Sequence, residues 1–94
     1  MAFDNIHNYY ETAVVNRLIE MVQADFLEDD EQLLEDVACV ALNQLPSRYI
    51  KHDIDMLYFM TTEEREKVEY DIHKAVTAAV EYVQQNRTQR AANK

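Results

Sequence analysis

The stretch that decides the fold covers residues 38–51 and reads ACVALNQLPSRYIK. From Val37 to Leu42 every side chain is apolar, which predicts a central helix that is buried on all sides. Pro46 disfavours the helical conformation at the residue before it, so the helix is expected to end at Leu45. A guanidinium, a phenol and an ammonium group then follow within four residues. The stretch therefore predicts a sharply terminated helix and, after it, a cationic loop at residues 47–52.

A long helix is predicted on the N-terminal side, from about Asn5 to Phe26, with Asp4 as its N-cap. Its polar arc is narrow, so it needs more than one neighbour, and in a small chain another subunit is a candidate for the second. Arg17 sits at the edge of the apolar face and is expected to reach solvent or to contact an acidic residue of another helix or subunit. After an acidic break, Asp29 or Asp30 is expected to cap the central helix.

The last predicted helix begins after Thr61, which forms a capping box with Glu64, and runs to about Arg87. Its apolar residues make one stripe at helical spacing: Val68, Ile72, Ala75, Val76, Ala79, Val80 and Val83. Residues 88–94 are expected to form a frayed tail. Between the second and third helices, residues 47–60 are expected to be irregular or to contain a short extended segment.

Length and composition restrict the fold class. Ninety-four residues make one domain, 1–94, and this chain has no glycine and one proline. That composition argues against a sheet-rich fold, which needs tight turns, and against a glycine-rich phosphate loop. We therefore predict an all-α, compact domain of three long helices. Because so short a chain buries a limited core, oligomerisation is the expected additional source of stability.

Charge and cysteine content restrict the partners. A net charge of −9 disfavours binding to a DNA or RNA duplex or to an acidic membrane surface. No apolar run approaches the length of a membrane span, so membrane insertion is not expected. The single cysteine excludes an intramolecular disulfide and a zinc site built on several thiolates. A free cysteine without an export signal indicates a cytoplasmic location.

The cationic loop holds the candidate binding residues. Arg48 can grip a phosphate or a guanine edge with two parallel hydrogen bonds, Tyr49 offers a stacking face, and Lys51 adds a compact positive charge. The full candidate site comprises Asn43, Ser47, Arg48, Tyr49, Lys51 and His52. In the alternative interpretation, Arg48 pairs with a nearby carboxylate and Tyr49 packs on the core, because surface cations are commonly solvated or weakly paired.

Other reactive residues carry weaker signals. His52, Asp53 and Asp55 lie close together but match no recognised metal-ligand spacing, so no metal site is predicted. Cys39 lies in the apolar part of the central helix and is expected to be a buried structural thiol. No serine–histidine–acid arrangement is visible, so no catalytic residue is predicted.

Three segments together resemble the late competence development protein ComFB family. They are Asn8-Tyr9-Tyr10-Glu11, the string ACVALNQLPSRY at residues 38–49, and Asp55-Met56. The resemblance implies a small, mostly helical homodimer that is a receptor for cyclic di-GMP or, in some members, cyclic di-AMP. It also implies a role in competence, type IV pili, motility or cell size. Some members bind structural zinc through several cysteines, which this chain, with Cys39 alone, does not offer.

The loop and the implied dimer support one functional hypothesis, a non-enzymatic second-messenger receptor. A two-fold dimer presents the same loop twice, and a cyclic dinucleotide has approximate two-fold symmetry. No cofactor other than this ligand is expected. The alternative is a helical interaction or adaptor protein without a small ligand, which would act on a protein effector in the machinery of DNA uptake, motility or division. An enzyme, such as a phosphodiesterase, is disfavoured because neither metal ligands nor a base–nucleophile pair are evident.

Overall fold

The computed structural model describes residues 5–52 and 60–92, with side chains up to Arg87. In chain order the elements are β1 (His7–Asn8), α1 (Tyr9–Gln23), α2 (Glu31–Gln44), β2 (Tyr49–Ile50) and α3 (Thr62–Ala92). The prediction of a mainly helical chain with three long helices is confirmed. The expected extended segment after the second helix includes β2, while residues 53–59 lie outside the described part of the chain.

The first helix begins later than predicted, at Tyr9 instead of Asn5. The two residues before it form β1, which pairs antiparallel with β2 and so cannot be helical. Asn8 is the N-cap, and its side-chain oxygen accepts a hydrogen bond from the Tyr10 backbone N–H at 3.3 Å. Asp4, the predicted cap, lies outside the described residues.

The first helix also ends earlier than predicted, at Gln23 instead of Phe26. Asp25 turns the chain with a positive φ of 61°. The backbone N–H of Phe26 donates to the Met21 carbonyl at 2.9 Å, and that of Asp25 donates to the Val22 carbonyl at 3.1 Å. This is the Schellman hydrogen-bond pattern, in which glycine usually occupies the left-handed position. Because the chain has no glycine, an aspartate occupies that position here.

Both ends of the second helix follow their local sequence signals. Asp30 is the N-cap, as one of the two predicted alternatives, and its carboxylate accepts hydrogen bonds from the Gln32 and Leu33 N–H groups at 3.0 and 3.3 Å. Leu45 is the C-cap in an extended conformation, which is the conformation that a following proline favours. The predicted end of this helix is confirmed.

The second helix is not buried on all sides, which corrects the expectation from its apolar run. Val37 and Ala41 are fully buried, Ala38, Val40 and Leu42 are half-buried, and Cys39 is exposed. Within the described part of the chain, α1 and α3 provide the main packing against α2, and two neighbours leave one side of a helix uncovered. The prediction of a buried Cys39 thiol is therefore wrong.

The third helix starts as predicted and extends further. Thr61 Oγ1 accepts a hydrogen bond from the Glu64 N–H at 3.1 Å, and the predicted apolar stripe is buried or half-buried throughout. The helix continues to Ala92, five residues beyond the predicted end near Arg87, and residues 93–94 of the expected frayed tail lie outside the described residues. No glycine or proline interrupts the sequence after Arg87, so nothing local stops the helix there.

The three helices meet in one apolar core. Val14, Val37 and Val76, one from each helix, are each 0% exposed. Between α1 and α3, the Arg17 guanidinium donates from Nη2 to His73 Nδ1 at 2.9 Å, and Arg17 also lies 3.6 Å from Glu20. Glu20 belongs to the same helix as Arg17, and the partner of Arg17 on α3 is His73. The predicted contact with an acidic residue of another helix is therefore not observed among the described residues.

Candidate functional site

The cationic loop is attached to the start of α1. In the β1–β2 ladder, His7 lies opposite Ile50 and Asn8 lies opposite Tyr49. The Tyr9 N–H donates to the Arg48 carbonyl at 2.7 Å, which joins the first residue of α1 to the loop. These contacts span 39 to 43 positions of the sequence, and they set the path of the loop.

Asn8 holds both sides of this junction. Its side-chain oxygen accepts the Arg48 N–H at 3.0 Å and the Tyr10 N–H at 3.3 Å. One carboxamide thus caps α1 and fixes the backbone of the loop at the same time. In the sequence, Asn8 stands out only through the family resemblance, and this positioning role could not be predicted because no local pattern relates Asn8 to residue 48.

The side chains of the loop project outward. Tyr49 is 68% exposed, so its ring is available for stacking and does not pack on the core. The side chains of Ser47, Arg48, Lys51 and His52 are exposed as well. Of the carboxylates in the described part of the chain, none lies within ion-pair distance of Arg48. In the alternative interpretation, Arg48 pairs with a carboxylate and Tyr49 packs on the core. Neither contact is observed among the described residues.

The first half of α3 extends the site with residues that the sequence analysis did not select. A cleft of about 390 Å³ lies between α3 and the chain that leaves α2. Its walls are Gln44, Leu45, Pro46, Lys67, Asp71, Lys74, Ala75 and Ala78. Lys67 donates to Asp71 at 3.0 Å across one helical turn, and Lys74 is one turn further along. We call this feature the cationic cleft.

Four of the nine Lys and Arg residues thus belong to the cationic loop or the cationic cleft: Arg48, Lys51, Lys67 and Lys74. The whole chain carries a net charge of −9, so this concentration of positive charge opposes the general field of the protein. Spacing of four and three residues places Lys67, Asp71 and Lys74 on one face of α3. That spacing is readable in the sequence, but the position of the face beside Pro46 is not.

Tyr10 lies beneath the junction between loop and cleft. Its side chain is only 4% exposed, and its ring meets that of Tyr9 edge-on with centroids 5.8 Å apart. Burial raises the pKa of the Tyr10 phenol, the charge of Asp71 raises it further, and the charges of Arg48 and Lys67 oppose this rise. The phenol therefore stays protonated at neutral pH and forms an uncharged support beneath groups from both sides of the site.

Asn43 is separated from the other candidate residues. It is exposed on α2, its amide lies 3.9 Å from Cys39 Sγ, and it faces a neighbouring hollow with Val40, Ala79 and Tyr82. Ser47, Arg48, Tyr49, Lys51 and His52 are consecutive or nearly so, and the structure keeps them together. The site as described consists of that loop, the cationic cleft and the Asn8 junction.

The described residues contain no cluster suited to a metal ion. Among residues 5–52 and 60–92 there is no group of three or more His, Cys, Asp or Glu side chains that could hold one. His52 is exposed at the end of the loop, whereas Asp53 and Asp55 lie outside the described residues. The cationic side chains and the exposed Tyr49 ring of the site are suited to an anionic ligand with an aromatic part.

A comparison with known families gives a match over most of the chain. The model of the late competence development protein ComFB family matches residues 7–87. The chain belongs to the ComFB family. Its membership indicates a competence-related role, and the family is not a known enzyme family. Searches among curated proteins and among solved structures give no match.

The family match begins at the first residue of β1 and ends near the Arg87 contact with Asp30. It therefore includes the Asn8 junction, the cationic loop and the cationic cleft. Within the described part of this ComFB chain, no helix is both long enough and apolar enough to cross a membrane.

Proposed function

We propose that this ComFB-family protein is a non-enzymatic receptor for a cyclic dinucleotide, with cyclic di-GMP preferred over cyclic di-AMP. The observation that carries the proposal is the concentration of positive charge at the cationic loop and cleft of an acidic protein. Phosphate groups are the natural partners of such a surface, and the exposed Tyr49 ring adds a stacking platform for a base.

Each side chain has a distinct role in this proposal. The Arg48 guanidinium, held at its backbone by Asn8, forms parallel hydrogen bonds with a phosphate or with a guanine edge. Lys67 and Lys74 neutralise phosphate charge from the α3 side, and Asp71 limits how much anion the cleft accepts. The loop provides orientation, and the lysines provide charge.

The ligand is bound by a homodimer in this proposal. Binding sites usually bury at least about 70% of a small ligand, whereas the loop is exposed and the cleft is open on one chain. A second copy related by a two-fold axis would supply the same loop to the other half of a two-fold symmetric ligand. The expected stoichiometry is one cyclic dinucleotide to two chains.

The test is titration calorimetry with cyclic di-GMP on the wild-type protein and on Arg48→Ala. We expect affinity to fall about tenfold or more, because a charge-assisted bond contributes about 1.5–3 kcal/mol. Arg90→Ala is the matched control, since it removes the same charge near the opposite end of α3. Unchanged affinity of Arg48→Ala, with the oligomeric state preserved, would contradict the site assignment.

The adaptor alternative predicts a different result in a thermal-shift screen. A ligand that binds the folded state raises the melting temperature by mass action. An adaptor without a small ligand would show no shift with cyclic di-GMP, cyclic di-AMP or linear dinucleotides at high concentration. A shift with the cyclic compounds alone supports the receptor.

A further inference from the structure

A second surface lies between the helices α1 and α2. It is an apolar groove of about 540 Å³, with Val15, Ile19 and Val22 on one wall and Leu34 and Ala38 on the other. We call it the apolar groove. It belongs to the half of α2 that is remote from the cationic loop.

The groove exposes side chains that three packed helices would ordinarily cover. Val15 is 48% exposed and Ile19 is 49% exposed, above a floor that contains the buried Leu18. Single exposed apolar side chains are common on proteins, but a contiguous apolar concavity is typical of an interaction site. The polar arc of α1 is narrow because Val15 and Ile19 extend its apolar face onto this exposed wall of the groove.

The rim of the groove is acidic. Asp29, Glu31 and Glu35 stand along its α2 side, and no Lys or Arg is found among the described residues that line it. A partner must therefore offer apolar side chains for the floor and positive charge for the edge. Negative charge on the partner would face like charge in a partly desolvated setting, which disfavours binding.

We infer that the apolar groove binds a basic amphipathic helix of a partner protein. The α1 wall, from Val15 to Val22, spans about two helical turns, or roughly 10 Å, which matches an inserted helix with apolar anchors at positions i, i+3 or i+4, and i+7. Lys or Arg residues on both flanks of that stripe pair with the acidic rim. The inference does not depend on the proposed nucleotide ligand.

A second copy of this chain fits the groove less well. A two-fold contact through the groove would bring the acidic rims of Glu31 and Glu35 from both copies into one interface. Because like-charge juxtaposition costs free energy, charge complementarity favours a cationic partner over self-association at this surface.

The test uses two synthetic helical peptides of about 18 residues with the same leucine stripe. In one, the remaining positions are mainly lysine, and in the other they are mainly glutamate. By fluorescence anisotropy we expect the lysine peptide to bind and the glutamate peptide not to bind. Equal binding of both peptides, or binding of neither, would overturn the inference.

Variants distinguish binding in the groove from general attraction to an acidic protein. The double variant V15S/I19S is expected to weaken the lysine peptide about tenfold or more, whereas Tyr70→Ser, at a 62% exposed site on α3, leaves binding unchanged. Equal affinity of V15S/I19S and wild type would mean that the peptide binds elsewhere. Circular dichroism checks that both variants remain helical.

Charge reversal on the rim provides the second comparison. The pair E31K/E35K is expected to transfer binding from the lysine peptide to the glutamate peptide. The matched pair E66K/E81K makes the same change in net charge at exposed α3 sites outside the groove and should not do so. If V15S/I19S instead converts a dimer into a monomer in light scattering, the groove is a self-association surface and the inference is wrong.

Discussion

At its C-terminal end α2 leads into the cationic loop, whereas near its N-terminal end it forms one wall of the apolar groove. The first surface is made by a two-residue strand and a cleft with Lys67 and Lys74, and it carries several exposed cationic side chains. The second is made by two helices and is apolar with an acidic edge. The difference shows that the net charge of −9 does not describe the two surfaces individually. One is suited to bind an anion, and the other is suited to bind a cationic helix.

The two surfaces also differ in what holds them. The loop depends on hydrogen bonds from one side chain, Asn8, to backbone groups on either side of it. The groove depends on helix packing around Leu18 and on caps at residues 25 and 30. Variants at these supports should therefore affect one surface and spare the other.

The largest effect is expected at the Asn8 junction. Asn8→Ala removes the acceptor for two N–H groups, so we expect the free energy of unfolding to fall by about 2 kcal/mol in chemical denaturation. Nucleotide binding should weaken as well, because Arg48 loses its anchor, while peptide binding in the apolar groove is retained. Asn8→Asp keeps the acceptor and should recover most of the stability.

Asn16→Ala is the control for this prediction, since Asn16 is exposed on the same helix. Its effect should stay within about 0.5 kcal/mol. An Asn8→Ala protein as stable as Asn16→Ala would show that the junction contributes nothing.

The second effect concerns the lysines of the cationic cleft. The double variant K67A/K74A should weaken cyclic di-GMP about tenfold without lowering the melting temperature, because exposed ion pairs such as Lys67–Asp71 stabilise a fold little. Asp71→Asn should have the opposite effect and strengthen binding a few-fold, since it removes negative charge from the cleft. Calorimetry at two salt concentrations measures the affinity of both variants for cyclic di-GMP. If the affinity changes in the same direction in both variants, the proposed role of the cleft is wrong.

Features of the fold that depend on neighbouring residues could be predicted from the sequence. Features that depend on residues far apart in the sequence could not. The α3 stripe from Val68 to Val83 and the Pro46 stop are local patterns, and both predictions are confirmed. The start of α1 depends on a strand that pairs with residues 49–50, so local sequence signals placed that start about four residues too early.

The candidate site shows the same division. Arg48, Tyr49 and Lys51 stand out by residue type within four positions of each other. Lys67 and Lys74 do not, because only the packing of α3 against the end of α2 brings them beside the loop. The exposure of Cys39 was not predicted for a related reason. An apolar run indicates that a helix can be buried, but it does not indicate how many other helices pack against it.

The third effect is a stabilisation at the far end of α1. Asp25→Gly should raise the free energy of unfolding by about 0.5–1 kcal/mol, because glycine adopts a positive φ without strain and carries no negative charge at the helix C-terminus. Asp25→Asn should give a smaller gain and Asp25→Ala a loss. If alanine is as stable as glycine in denaturant titrations, removal of the charge explains the effect and the backbone conformation does not.

The smallest effect is a pH dependence at the cap of α2. The Leu33 backbone N–H, the Arg87 guanidinium at 3.4 Å and the Gln32 N–H all favour the charged carboxylate, so the pKa of Asp30 is lower than its ordinary value of 3.8. A group whose pKa is lower in the folded state stabilises the fold above its unfolded pKa, and this contribution is lost as pH falls through the folded value. The melting temperature of wild type should therefore exceed that of Asp30→Asn at pH 7, and the difference should shrink below about pH 4.

Arg87→Gln sharpens this prediction because it leaves the cap intact. The backbone N–H of Leu33 is the largest cause of the lowered pKa of Asp30, so removal of the guanidinium should reduce the pH dependence without abolishing it. A difference between wild type and Asp30→Asn that stays constant from pH 7 to pH 3 would show that the cap acts as a neutral acceptor.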